Sequence, residues 1–159
     1  IVPDIVRAIS KEEAVVLRNP SAVRPWQHVL EPLSGYLHLT AKLFTEGAQH
    51  TGGWNFGPND INTIPVEELV QMMIATWGQG SYEVQSQGHA HEANLLKLDI
   101  SKSNALLKWG PALSAKEAIQ ETVNWYKAYY DGCSGDALRE LSLNQIRQYQ
   151  DKMSYASYA

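Results

Sequence analysis

Arg18 and Arg24 stand on either side of the turn-forming run Asn19-Pro20-Ser21. A guanidinium is planar, always charged and carries a fork of donors that matches phosphate oxygens two at a time, so the pair could converge on a diphosphate. The competing explanation is two solvated surface charges. Trp26, Gln27 and His28 follow directly, and an indole, an amide and an imidazole could hydrogen-bond a base or a sugar. Extended chain would put Trp26 and His28 on one side. Core packing explains Trp26 at least as well, and His28 stands evenly between a satisfied buried histidine and a ligand contact.

A second group is His89, His91 and Glu92. Residues two apart in a strand share a face, and imidazole is a common zinc ligand, but a zinc site needs a further convergent ligand and the sole cysteine, Cys133, is far along the chain. No metal is expected. Asn59 and Asp60 could approach a ligand after Gly57-Pro58, although Asn-Asp pairs are ordinary turn formers. Cys133 follows a predicted helix end, where the dipole opposes a thiolate. Trp125, Tyr126, Tyr129 and Tyr130 have helix-face spacing, which suits packing better than stacking on nucleic-acid bases.

The elements that must position these groups are mostly helical. Ile1 to Ser10 carries apolar residues at helical spacing, and Ala14 to Leu17 is a short β-branched strand ended by Asn19-Pro20. Trp26 to Leu30 reads as extended. A helix over about Glu31 to Glu46 aligns Leu33, Tyr36, Leu37, Thr40 and Phe44, with Gly47 as its stop. Gly53 to Pro58 reads as a brief buried strand. Pro65 opens a helix to Trp77, ended by Gly78 and Gly80, and strands follow at Ser81 to Gln85 and Asn94 to Leu98. Ser114 and Glu117 form a capping box for a helix reaching about Asp131. Residues 135–153 are polar enough for only a short, frayed helix, and Ser154 to Ala159 should be a loose, disordered tail. The fold class is therefore mixed α/β (α+β), helix-rich, with short scattered strands, in one portion over residues 1–153.

A chain of 159 residues with net charge −4 can bury a genuine core, roughly 70% of its unfolded surface. The acidic balance argues against a nucleic-acid binder. No run approaches the roughly 20 apolar residues of a membrane span, and a single cysteine is simplest to place in a reducing cytoplasm.

The run Arg18-Asn19-Pro20-Ser21-Ala22-Val23-Arg24-Pro25-Trp26-Gln27-His28-Val29-Leu30-Glu31-Pro32-Leu33-Ser34-Gly35-Tyr36 resembles the signature of the CDP-glucose 4,6-dehydratases, within the extended short-chain dehydrogenase/reductase superfamily. Other extended members usually have aspartate where this chain has Pro25. Trp54-Asn55-Phe56-Gly57-Pro58, Gly88-His89-Ala90-His91-Glu92-Ala93 and Leu96-Lys97-Leu98-Asp99 with Ser101-Lys102 and Trp109 resemble further family stretches in the expected order. The second of these has Gly88 and Ala90 at the family's proline positions, and Leu96 replaces an aromatic residue.

The resemblance covers about residues 1 to 150 and implies the C-terminal substrate-binding portion only, with the Rossmann domain absent. By that resemblance the substrate contacts are Arg24, Arg18, Gln27, His28, His89, His91, Glu92 and Asn59, and the partner is a CDP-sugar. The family binds NAD through a glycine-rich strand-turn-helix and uses a Tyr-x-x-x-Lys pair for proton transfer. Neither motif occurs here: none of the eight tyrosines has lysine four positions on. The chain is thus expected to hold no NAD, to have no catalytic residue of its own and to be inactive alone. Its first residue, Ile1, suggests a truncated fragment that meets either the missing N-terminal nucleotide-binding half or a second copy of itself. The stripe Ile1, Val2 and Ile5 is the face expected to need that cover, making a homo-oligomer of the isolated chain.

Overall fold

The computed structural model describes residues 1–60, 63–85 and 94–156, with side chains described through residue 153. Five helices are placed among them: α1 (Val2–Ser10), α2 (Leu30–Glu46), α3 (Val66–Trp77), α4 (Ala115–Tyr130) and α5 (Gly135–Ala156). Two three-residue strands, β1 (Val15–Leu17) and β2 (Tyr82–Val84), pair in parallel with Val15 opposite Tyr82 and Leu17 opposite Val84. Parallel neighbours need a long crossover, and α2 and α3 lie within it.

The main core is made by α1, α3, α4 and β1. The helical spacing of Ile5, Val6 and Ile9 turns all three inward, against Leu69, Val70 and Met73 of α3 and Ile119 and Val123 of α4. Burying an aliphatic side chain of this size contributes roughly 1.5–3 kcal/mol. The Ile5 stripe is therefore covered by this chain's own helices rather than left for a partner, contrary to the expectation from sequence; Ile5 and Ile9 are both 0% exposed. Helix ends follow the chemistry read from the sequence. Gly78 caps α3 in the left-handed region at φ 94, where a side chain would be strained. Ser114 Oγ accepts from Glu117 N while the Glu117 carboxylate accepts from Ser114 N, the reciprocal box that starts α4.

A thinner region is built from α2, residues 53–58 and a π-helical turn at Ser103–Leu107. Phe56, Leu107 and Trp109 are its buried centre. Gly35 lets the Phe56 ring lie directly on α2: a methyl at position 35 would fall 2.2 Å from Phe56 Cδ1. Phe56 is held edge-on by Tyr36 and Trp109, at centroid distances of 5.5 and 4.8 Å, so its ring has little room to retreat.

Three expectations are corrected. Trp26 to Leu30 is not a strand, because the chain turns into α2 at Leu30. Residues 53–58 are extended but pair with no strand among the described residues. The segment from Gly135 is the longest helix described, 22 residues, rather than a short one; Trp125 Nε1 donates to Ser142 Oγ and Gln145 Nε2 to Glu121 O, pinning it along α4.

Candidate functional site

Arg18 follows β1 directly, and the loop to Arg24 is clamped to α3. Val66 N donates to Ala22 O at 2.9 Å and Glu67 N to Pro20 O at 3.0 Å. These are orphan donors of the α3 N-terminus, so the loop takes up the amides that would otherwise attract an anion. Val23 bridges to Pro65 on one side and to Leu95 on the other. Trp26 Nε1 donates to Ile64 O, which fixes the indole behind the loop.

The result is a cavity of about 610 Å³ into which Arg18 and Arg24 both open, with Asn19, Trp26 and Asp4 on its wall. Arg24 Nη1 donates to Val23 O at 2.9 Å, which steadies the guanidinium against its own backbone. Asp4 already has a partner: hydrogen bonding from Arg7 holds its carboxyl below the usual carboxylate range. Two guanidiniums and an engaged carboxylate leave the cavity suited to an anion with several oxygens.

Gln27 and His28 do not open into that cavity. They line a second one of about 470 Å³, bounded by α2, α4 and α5 and largely apolar, with Trp125, Tyr126 and Ile146 on its wall. Trp26 and His28 thus face different cavities, since the backbone between them is not extended. His28 is buried, and its Nδ1 accepts from Leu30 N at 3.3 Å. Burial pushes its pKa down, with the Glu121 charge opposing, so the neutral ring is favoured. Gln27 Nε2 donates to Phe56 O. Asn59 is exposed, and its carbonyl accepts from Thr63 Oγ1 while neighbouring Asp60 pairs with Lys97 at 2.8 Å; both serve a turn here. His89, His91 and Glu92 lie outside the described residues. Their described flanks are tied beside the arginines: Gln85 N donates to Leu17 O, and Val23 N to Asn94 O. Among the described residues no cluster of histidine, cysteine, aspartate and glutamate could hold a metal ion, and no helix is long and apolar enough to cross a membrane. Trp125 and Tyr129 stack at 5.9 Å, within the helix-face cluster read from sequence.

Sequence reasoning missed Glu31. It is 1% exposed, and its carboxylate accepts from Ala112 N, from Leu113 N at 2.7 Å and from Tyr149 OH at 2.7 Å. Trp109 Nε1 donates to Ser34 Oγ, which also meets Tyr149 OH at 2.9 Å. Burial pushes the Tyr149 pKa well up, with Ser34 opposing and Glu31 adding to the rise. A buried carboxylate is tolerable only with such a full set of donors. An acidic residue in a first helical turn reads as a dipole partner, and nothing in the sequence distinguishes this one from the others.

No family model matches the chain. The CDP-glucose 4,6-dehydratase of Salmonella typhimurium (strain LT2) is 45% identical over 155 residues, 97% of this chain but 42% of that protein. The chain belongs, as a C-terminal part, to the extended short-chain dehydrogenase/reductase family. It spans about two fifths of that relative's length. Solved structures share the fold: dTDP-glucose 4,6-dehydratase from Bacillus anthracis, in complex with NAD, at TM-score 0.65 and 22% identity, covering 82% of this chain and 40% of that one. UDP-glucose 4-epimerase from Thermotoga maritima, with UDP-glucose, follows at TM-score 0.59 and 19% identity, covering 79% and 38%.

Proposed function

We propose that these residues form the nucleotide-sugar side of an NAD-dependent CDP-glucose 4,6-dehydratase, which converts CDP-D-glucose to CDP-4-keto-6-deoxy-D-glucose. The observation that carries the reading is the shared opening of Arg18 and Arg24 into one cavity, together with 45% identity to a CDP-glucose 4,6-dehydratase. In this reading Arg24, with Arg18, grips the diphosphate. His89, His91 and Glu92 complete the site, supported by the attachment of Gln85 and Asn94 next to the arginine loop.

Gln27 and His28 then act on the far side of the Trp26 wall. Gln27 ties the loop to Phe56, and His28 sets the entry to α2. NAD, which takes up and returns hydride in such enzymes, would be held by polypeptide outside these 159 residues, where the Tyr-x-x-x-Lys pair would also lie. No side chain of this chain is assigned a chemical step. Its contribution is to fix the diphosphate, so that the sugar is held in one orientation for reaction elsewhere. The isolated chain is therefore inactive, and a cytoplasmic setting belongs to the same proposal.

Calorimetry of the isolated chain with CDP-glucose and CDP is the test. Binding should weaken at least about tenfold in Arg24→Ala, because a charge-assisted bidentate contact contributes roughly 1.5–3 kcal/mol, and Arg24→Lys should recover only part of it. Equal affinity in all three proteins, with the helical circular dichroism unchanged, would remove Arg24 from the site.

A further inference from the structure

α2 is built inside out. Its buried side is small or polar, with Gly35 and Glu31 buried and Ser34 and His38 half-buried. Its apolar residues face solvent: Leu33 is 45% exposed, Tyr36 55%, Leu37 73% and Phe44 91%. Positions 33, 37, 40 and 44 fall on one helical stripe, and Val29, 60% exposed, extends it by a turn. A helix beside a core normally turns such a stripe inward, and a contiguous apolar face on a chain surface marks a contact.

The neighbouring stretch 53–57 is open in a second way. Its carbonyls are occupied by side chains, with Lys102 Nζ on Gly53 O, Ser103 Oγ on Asn55 O and Gln27 Nε2 on Phe56 O. None of its backbone amides finds an acceptor among the described residues. Extended backbone with free donors is an edge awaiting a strand. Phe56 of that stretch packs edge-on against Tyr36 of the α2 stripe, so helix face and strand edge form one surface.

We propose that this surface, the outer stripe of α2 with the amide edge of residues 53–57, is the docking face for the polypeptide that the relatives carry beyond the matched region. The occupant is an α/β body that supplies an apolar face to α2 and a strand edge to 53–57. The lengths favour it over a second copy: this chain matches 42% of the Salmonella relative and 40% of the Bacillus anthracis structure, so in each of those proteins more than half of the same chain is left to pack somewhere. A second copy brought up helix to helix would cover the stripe and leave the amide edge unmet. The proposal rests on the reading of the chain as part of a longer enzyme, but not on its ligand.

The test needs no nucleotide. In a Cys133→Ser background, Leu37→Cys and Phe44→Cys are compared with the exposed α5 control Gln148→Cys for rate of thiol labelling. They are compared in the isolated chain and in a chimera that places the unmatched part of the Salmonella dehydratase ahead of it. Labelling at 37 and 44 should slow at least about tenfold in the chimera, as protection by a stable contact does, while the control keeps its rate. Unchanged rates at 37 and 44 overturn the proposal. So does slowing that grows with the concentration of the isolated chain alongside a dimer mass, because the face then belongs to a second copy. Co-expression of the two parts as separate chains is the independent readout. Co-purification that Leu37→Glu with Phe44→Glu abolishes supports the docking face, and absence of co-purification together with a chimera that gives no protection overturns it. Loss of CDP-glucose binding with protection intact would sink the ligand reading alone.

Discussion

The two halves of this molecule solve the burial problem in opposite ways. Around α1, α3 and α4 the apolar residues meet one another inside, and Ile5, Ile9 and Val70 are all 0% exposed. Around α2 the inside is a polar brace, Glu31 with Tyr149 and Ser34, and the apolar residues point out. The first half has what a self-standing core needs. The second is held to it by directional bonds and has its hydrophobic contribution in reserve. That contrast separates what these residues stabilise by themselves from what they offer to something else.

The comparison is broken most forcefully from the closed half. Leu69, 2% exposed in the main core, should cost about 2–5 kcal/mol as Leu69→Ala, read from urea unfolding. A loss below 1 kcal/mol would mean that the core is looser than its burial implies. Glu31→Ala tests the braced half: it strands the amides of Ala112 and Leu113 and the Tyr149 hydroxyl, and a cost of about 1–3 kcal/mol is expected for donors left without acceptors. If it proves neutral, packing on Phe56 rather than the carboxylate holds α2.

The smallest effect concerns the seam between α4 and α5. The Glu117 carboxyl is lowered from 4.5 to about 2, first by Lys152 and then by the Ser114 backbone and hydroxyl. The folded pKa is the lower one, so the unfolded chain takes the proton first. The stabilisation is complete above pH 4.5 and drains away as pH falls toward 2. Both partners of the ion pair are about two-fifths exposed, which limits the Lys152 share to less than about 1 kcal/mol. Lys152→Met should accordingly flatten the acid side of the stability curve slightly, and an unchanged slope between pH 5 and 3 would assign the protection to Ser114.

Much of the closed half was legible in the sequence. α3 has unbroken apolar spacing, Glu67 and Glu68 in its first turn and Gly78 after it, and α4 has its capping box; local chemistry and tertiary packing agree there. In the braced half they do not. The α2 stripe was visible as a stripe, but periodicity reports that a face is apolar and not which way it points, and the Ile5 stripe was mistaken for the outward one. Residues 53–58 have the composition of a strand, but a strand is defined by its neighbour, and none is present among the described residues. α5 was underestimated because its polar sequence gives little periodic signal, and its contacts with α4 are long-range hydrogen bonds that leave no local trace. At the candidate site, the joint opening of Arg18 and Arg24 was anticipated. The diversion of Gln27 and His28 was not, because it depends on where α2 begins.

The Glu31 clamp acts on main-chain amides at positions 112 and 113, not on side chains. Mutational drift at those two positions is therefore invisible to it, and substitutions there are constrained only by the space available. Proline is the exception, since it has no N–H to give. A designer grafting this helix onto another scaffold would need to copy one acidic residue and a backbone trace, and could write the facing loop almost freely.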